Sequence, residues 1–311
     1  MSQLPALPCY LNGAYTLLPD ARISVMDRGF IFGDGIYEVV PVYAGQPFCL
    51  PEHLARLQRS LDELRVPNPL SDAQWRELVA NLIARYADST RARPENTDQL
   101  VYIQITRGVA LRDHAMPAQI TPTVFAMSNR MSQPSAAQRA SGVACVTAED
   151  FRWEKAHIKS TSLLGSVFAR QISVDAEATE TVMFRSGYLS EAASSNVWVV
   201  KDGAVYGPPR DNLVLEGIRY GLIEALCRDL GIPFHLHRIA RDDVLHADEL
   251  LLSSATKEVL PVTRLDGQPV GTGVPGVPGV PGVPGPVYHA LYGAYQAAKA
   301  RQCAAPAPQP V

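Results

Sequence analysis

Two amphipathic helices set between strand-like runs constrain this chain more than any other feature. From Pro51 to Val66, Leu54, Leu57, Leu61 and Leu64 fall on one stripe, while Arg56, Arg59 and Glu63 lie elsewhere. From Ser71 to about Ala87, Trp75, Leu78, Val79, Leu82 and Ile83 form a second stripe, with Ser71 and Asp72 as caps. Each stripe must be covered by another layer. Strand-like runs at Ile23–Val25, Ile36–Tyr43, Leu100–Thr106 and Pro122–Met127 supply that layer. Ala44-Gly45-Gln46-Pro47 reads as a turn into a further strand at Phe48–Leu50. Residues 1–130 are therefore expected to form a small α/β domain.

Ser128-Asn129-Arg130-Met131-Ser132-Gln133-Pro134 is polar and ends in proline, which makes it the linker candidate, with the boundary at 131–134. A larger domain is expected over 135–302. Its strands are Val143–Thr147, Thr181–Phe184 and Val197–Val200, the last two joined through the Glu191 segment, and Glu249–Ser253. Its helices start near Ser162, run from Gly217 to Leu230, and close at Val287–Ala300. A length of 311 residues suits two domains. Residues 274–285 repeat Val-Pro-Gly four times. Glycine at every third position with proline resembles collagen, but collagen needs three chains and long arrays. The repeat reads as an expanded surface loop, because lengthening a loop adds little closure entropy. The proline-rich tail 303–311 is expected to be disordered.

The formal net charge of −3 argues against a nucleic-acid partner. The N-terminal run Met-Ser-Gln-Leu-Pro-Ala-Leu-Pro lacks the basic and apolar regions of a secretory signal, and no apolar run has the length of a membrane helix. The five cysteines are scattered and form no CxxC pair, which argues against zinc ribbons, other metal centres and a disulfide framework. A reducing cytoplasm is the expected compartment.

The chemistry concentrates around two segments. Lys159 lies in Arg152-Trp153-Glu154-Lys155-Ala156-His157-Ile158-Lys159-Ser160, and about thirty residues on comes Tyr188-Leu189-Ser190-Glu191-Ala192-Ala193-Ser194-Ser195-Asn196. A lysine followed by a carboxylate and small hydroxyl residues is what a pyridoxal phosphate site needs. The amine condenses with the cofactor aldehyde, and the carboxylate keeps the pyridine nitrogen protonated so that the ring accepts electrons. Taken alone, Lys159 also reads as a surface lysine and Glu191 as a solvated carboxylate in a turn. Gly29, Gly33 and Gly35 do not have the GxGxxG spacing. They are followed by the strand-like Ile36-Tyr37-Glu38-Val39, so they read as a tight turn presenting Tyr37.

Three further segments complete the pattern: Asp27-Arg28-Gly29-Phe30-Ile31-Phe32-Gly33-Asp34-Gly35-Ile36-Tyr37-Glu38-Val39, Arg107-Gly108-Val109-Ala110-Leu111-Arg112-Asp113-His114, and Ile158-Lys159-Ser160. With them the chain resembles the class IV pyridoxal phosphate aminotransferases from Tyr10 to Val262, and within that class the D-amino acid aminotransferases. The resemblance implies an α/β (α+β) fold of type IV, with a small N-terminal α/β domain and a larger C-terminal β-barrel-like domain with helices. It implies that Lys159 is catalytic and that the cofactor is held by Arg56, Arg152, Lys159, Glu191, Ser194, Ser195, Ile218, Arg219, Ser254 and Ala255. It further implies that Tyr37, Arg112 and His114 bind the substrate carboxylate, the last two from the neighbouring subunit of a homodimer.

The chain departs from the family pattern at Ala192-Ala193, where glycine and a hydroxyl residue are usual, and at Arg219 and Ala255, where threonine is usual. Gly217-Ile218-Arg219 opens a helix whose amides suit a phosphate; Arg219 either donates to that phosphate or swings away. Arg56 alone reads as a solvated helix arginine, and His53 as a surface histidine or a supporting residue near the cofactor. The implied reaction is ping-pong transfer from a D-amino acid to a 2-oxo acid through pyridoxamine phosphate. The alternatives are a branched-chain L-aminotransferase or amine transaminase of the same fold, and a non-catalytic dimeric scaffold binding through the repeat loop.

Overall fold

The computed structural model describes residues 4–90, 98–271 and 280–304. The described residues divide into two compact units. The first takes the chain up to Met131, with Ile158–Leu163 and the residues from Arg301 onward; the second takes Ser132–His157 and Leu164–Ala300.

In the first unit the elements are β1 (Pro8–Leu11), β2 (Ala14–Leu17), α1 (Arg28–Phe32), β3 (Gly35–Tyr43), β4 (Gln46–Pro47), α2 (Leu50–Glu63), α3 (Asp72–Thr90), β5 (Gln99–Thr106) and β6 (Thr123–Arg130). The strands form one sheet in the order β2-β1-β6-β5-β3-β4. All of its pairings are antiparallel. The two predicted helical stripes bury as expected: Leu54, Leu57, Leu61, Trp75, Leu78, Val79, Leu82 and Ile83 share one core with Ile36, Val40, Val101, Ile103 and Val124 of the sheet.

Several local expectations fail for physical reasons. Ile23–Val25 is an exposed loop leading into α1, with no strand partner. Phe48–Leu50 is not a strand, because Cys49 adopts a left-handed backbone (φ 57°) and Leu50 already begins α2, with Pro51 in its first turn. Ser128–Arg130 extends β6 rather than a linker, paired with Gln99–Val101. A helical turn does occur among the early glycines: Gly29 lies inside α1, and Gly33 ends it with φ 66°.

The second unit contains α4 (Ala136–Ser141), β7 (Val143–Glu149), α5 (Leu164–Asp175), β8 (Glu180–Arg185), β9 (Tyr188–Ala192), β10 (Asn196–Lys201), β11 (Ala204–Gly207), α6 (Arg219–Leu230), β12 (Phe234–Leu236), α7 (Arg241–Leu245), β13 (Glu249–Ser254), β14 (Glu258–Leu265), β15 (Gln268–Pro269) and α8 (Pro286–Cys303). Its nine strands run in the order β12-β11-β10-β13-β14-β7-β8-β9, with β15 beside β14. The pairs β14–β7, β7–β8 and β11–β12 are parallel. Val182, Phe184, Val197, Val199, Leu250, Leu252, Leu260 and Val262 fill the core on this sheet. Half of the Val-Pro-Gly repeat, residues 274–279, lies outside the described residues, as does 305–311 of the tail. The last triplets of the repeat return to the sheet, where the Gly282 amide donates to Val270 O at 2.8 Å. Helix α5 buries Ala169 and Ser173 but leaves Leu164, Val167 and Phe168 exposed. Among the described residues no helix is long and apolar enough to cross a membrane.

Asp27 anchors the entry to β3. Fully buried, its carboxylate accepts from the Gly29 amide (2.8 Å), Thr106 Oγ1 (2.7 Å) and Thr123 Oγ1 (2.6 Å). Asp27→Ala strands those donors, and the expected loss is ~3 kcal/mol of unfolding free energy by urea titration. A loss within experimental error shows that the three donors find other partners.

Candidate active site

In the first unit the Lys159 segment is tied edge-on to β3. The Tyr37 amide donates to Lys159 O (3.0 Å), the Thr161 amide donates to Gly35 O (2.9 Å), and Ile36 bridges to Ser160. This pairing puts Lys159 Nζ 4.1 Å from the centre of the Tyr37 ring. Tyr37 and Lys159 are both half-buried. Strand alternation turns Glu38 to the opposite face, among Ile36 and Val40. There Glu38 accepts from Arg56 through Nε (2.7 Å) and Nη2 (2.8 Å), and it meets His53 Nδ1 at 2.7 Å. Arg56 and His53 are therefore buried members of an ion cluster and not solvated helix residues. Burial opposes the Glu38 charge, but Arg56 and His53 hold its carboxyl well below the usual range.

Arg112, Asp113 and His114 form an exposed loop in the same unit. Two of its side chains gather on Phe32: Arg112 Cζ lies 5.6 Å from the ring centre and the His114 ring 5.5 Å. Arg28 anchors the loop from beneath. Its Nε donates to Asp34 Oδ2 (2.8 Å) and its Nη1 to Asp113 O (2.6 Å).

The second unit carries the remaining expected residues. Glu191 lies in β9 and is buried, rather than solvated in a turn. Its Oε2 accepts from Asn196 Nδ2 (3.2 Å) and the Leu215 amide (3.3 Å), and its Oε1 accepts from Arg152 Nη1. Arg152 is aimed by Asp150, to which Nε and Nη2 donate at 2.9 and 2.8 Å. Burial pushes the Glu191 carboxyl above its usual range, against the pull of Arg152. Ser194 and Ser195 both donate to Glu180 Oε1. Gly217 packs on Asn196, where a Cβ would stand 2.2 Å from Asn196 Oδ1, so a larger residue would have to displace the Asn196 side chain. Helix α6 then begins at Arg219 without a side-chain cap on its first turn. The buried Arg219 turns toward the second expected phosphate loop, with Nη2 3.3 Å from Ala255 O and Cζ 5.8 Å from the Tyr295 ring centre. Ser254 Oγ accepts from the Lys257 amide at 3.1 Å.

These donor sets fit pyridoxal phosphate. A buried carboxylate already oriented by an amide and an asparagine suits a protonated ring nitrogen. The uncapped first turn of α6, with Arg219 beside it, suits a dianion.

Residues 35–265 match the family described as amino-transferase class IV. The chain belongs to that family. It is 37% identical to the D-alanine aminotransferase of Bacillus licheniformis over 264 residues, 85% of this chain and 90% of that protein. It is likewise 37% identical to the D-alanine aminotransferase of Staphylococcus aureus, over 85% of this chain and 91% of that one. The branched-chain amino acid aminotransferase of Escherichia coli shares the fold, with a TM-score of 0.79 and 22% identity over 95% of this chain and 94% of that one. The protein is thus a pyridoxal phosphate-dependent aminotransferase. One structure of the fold, a branched-chain amino acid aminotransferase, holds pyridoxamine 5'-phosphate.

Sequence reasoning missed Glu38, Asp150, Glu180 and Lys257. A carboxylate at an inward position of an otherwise apolar alternating strand was the available signal for Glu38. Glu180 and Lys257 are displayed only by long-range pairing, and Asp150, two residues from Arg152, only by its burial.

The Glu38 cluster has a pH signature. A carboxyl held low in the fold contributes stability above the unfolded value near ~4.3, and that contribution is lost as pH falls toward the folded value. Glu38→Gln is expected to cost about 3 kcal/mol at pH 7. The difference from the parent protein should shrink below about pH 4, as measured by chemical denaturation across pH. An unchanged difference down to pH 3 contradicts the low carboxyl.

Proposed function

We propose that the chain moves the amino group of a D-amino acid to a 2-oxo acid such as 2-oxoglutarate, in two half-reactions on one cofactor. The observation that carries this reading is the Arg112–His114 loop gathered on Phe32. It offers a guanidinium fork and an imidazole to a carboxylate. The likeness to D-alanine aminotransferases supports it.

In this reading Tyr37, Arg112 and His114 hold the substrate carboxylate. Arg56, Arg219, Ile218, Ser254 and Ala255 receive the cofactor phosphate. Glu191, held by Arg152, would keep the ring nitrogen protonated, Arg152 would face the phenolic oxygen, and Ser194 and Ser195 would complete the cofactor set. Bound pyridoxal phosphate supplies an electron sink for the substrate α-carbon. Lys159 would hold the cofactor through its Nζ, and the same amine is placed to take the substrate α-proton and to return a proton. The proposed domains are 1–130 and 135–302, joined at 131–134.

The proposed assembly is a homodimer in the cytoplasm, with Arg112 and His114 serving the neighbouring subunit. Val25, Phe30, Val109 and Leu111 are exposed, and so are Leu164, Val167 and Phe168 of α5. A second copy would bury such surface. Cys9, Cys145 and Cys227 are buried thiols, in keeping with a reducing compartment.

Stereochemistry tests the substrate class. D-alanine and D-glutamate are expected to react with 2-oxoglutarate at least about 100-fold faster than their L-forms, in kcat/KM, or about 2.7 kcal/mol of discrimination. Equal or better turnover of L-leucine or L-valine moves the protein to the branched-chain reading.

Subunit sharing has its own test. Lys159→Ala and Arg112→Ala are each expected to be inactive as homodimers. In a heterodimer one site carries both lesions and the other neither, so activity should return to on the order of one working site in two. A purified heterodimer no more active than the homodimers removes the cross-subunit role of Arg112.

A further inference from the structure

The second unit contains a lysine outside the expected site set that joins two segments of that set. Lys257 follows the Ser254-Ala255-Thr256 turn between β13 and β14. Its amide donates to Ser254 Oγ (3.1 Å), and its Nζ lies 2.7 Å from Glu180 Oε1 and 3.1 Å from Ser194 Oγ. Glu180 is fully buried at the start of β8, and Ser195 Oγ reaches the same Oε1 at 2.9 Å. One carboxylate oxygen thus collects an ammonium and two hydroxyls. The other, Oε2, is buried with no hydrogen-bond partner in the structure.

A serine hydroxyl has one proton and two lone pairs. Ser194 and Ser195 both spend their proton on Glu180 Oε1, so each turns lone pairs, not a proton, to whatever else it meets. Ser194 already accepts from Lys257 Nζ. A buried carboxylate with one bare oxygen is costly unless a cation sits against it. Lys257 is that cation. Removing it leaves the buried Glu180 carboxylate without its ion-pair partner and frees the serine hydroxyls to rotate.

We infer that Lys257 is a positioning residue for cofactor binding: through its ion pair with Glu180 it locks the hydroxyls of Ser194 and Ser195 as acceptors and ties the Ser194–Ser195 turn to the Ser254–Thr256 turn. The inference rests on the reading of Ser194 and Ser195 as cofactor-binding residues.

The experiment is a titration of cofactor-free protein with pyridoxal 5'-phosphate. The dissociation constant is read from tryptophan fluorescence, the pH dependence of the bound cofactor's absorbance is recorded, and melting temperature is followed as a control. Lys257→Met is expected to weaken binding about tenfold and to shift the absorbance titration. Lys257→Arg should stay within about threefold of the parent, and Glu180→Gln/Lys257→Met, which removes the charge from both partners, should recover most of the loss. If Lys257→Met does not fold, Lys257→Gln, which keeps a donor without the charge, takes its place with the same thresholds. Unchanged affinity and absorbance in the lysine variant overturn the inference, as does a double variant as weak as the single one. Ser194→Ala/Ser195→Ala separates the two readings. If it weakens binding while the lysine variant does not, only the positioning role of Lys257 falls. If it leaves binding unchanged, the cofactor assignment of the serines falls as well.

Discussion

The backbone pairing between β3 and the Lys159 segment is the constraint on which the rest of the first unit depends. Tyr37 N to Lys159 O and Thr161 N to Gly35 O fix a short stretch of chain, distant in sequence, as a ladder beside the strand that also carries Tyr37 and Glu38. One strand therefore sets three things at once. One face holds the tyrosine against the lysine amine, the other holds a carboxylate for Arg56, and the edge holds the lysine backbone. The strand itself is located by α1, whose N-cap Asp27 collects hydroxyls from β5 and β6. The arrangement leaves little freedom for the Lys159 main chain, which suits the role proposed for its side chain.

Buried carboxylates organise both units, and each is matched to cations in its own way. Glu38 takes a bidentate arginine and a histidine, and its carboxyl is driven low. Glu191 takes a single arginine contact plus neutral donors, and burial drives its carboxyl up. Glu180 takes a lysine and two serines on one oxygen. Glu258 at the start of β14 takes Arg139, Gln296 and Lys299 and so fastens α4 and α8 to the sheet. The differing settings follow from the balance between desolvation and charge pairing. A carboxylate meant to meet a further cation should be under-compensated, as Glu191 is, whereas one that only braces an arginine should be saturated, as Glu38 is.

The departures from the family pattern also have a physical reading in the fold. Arg219 stands where threonine is usual and Ala255 where a second hydroxyl is usual. The arginine side chain leans to the alanine loop and donates to its carbonyl. Ala192 ends β9 and is buried, and the buried Ala193 just beyond it packs with Ala169 and Met183. The hydroxyl usual at position 219 is exchanged for a cation, and the one usual at position 193 for apolar packing.

Much of this protein was legible in its sequence. The leucine stripe of α2 and the tryptophan-led stripe of α3 announced two helices on a sheet, because a 3.6-residue period has no other use in a soluble core. The Lys159 and Glu191 contexts, together with Arg112-Asp113-His114, announced the chemistry, because few cofactors need that combination of side chains. The sequence could not decide between solvated and buried states for Arg56, His53 and Glu191, since an ionic side chain looks the same in either. Nor could it reveal that Glu180 and Lys257, distant in sequence, share one proton network. Those choices belong to tertiary structure. Burial and partner identity arise only when distant strands fix their register, and it is the low-polarity interior so formed that turns ordinary charged residues into a set of mutually tuned groups.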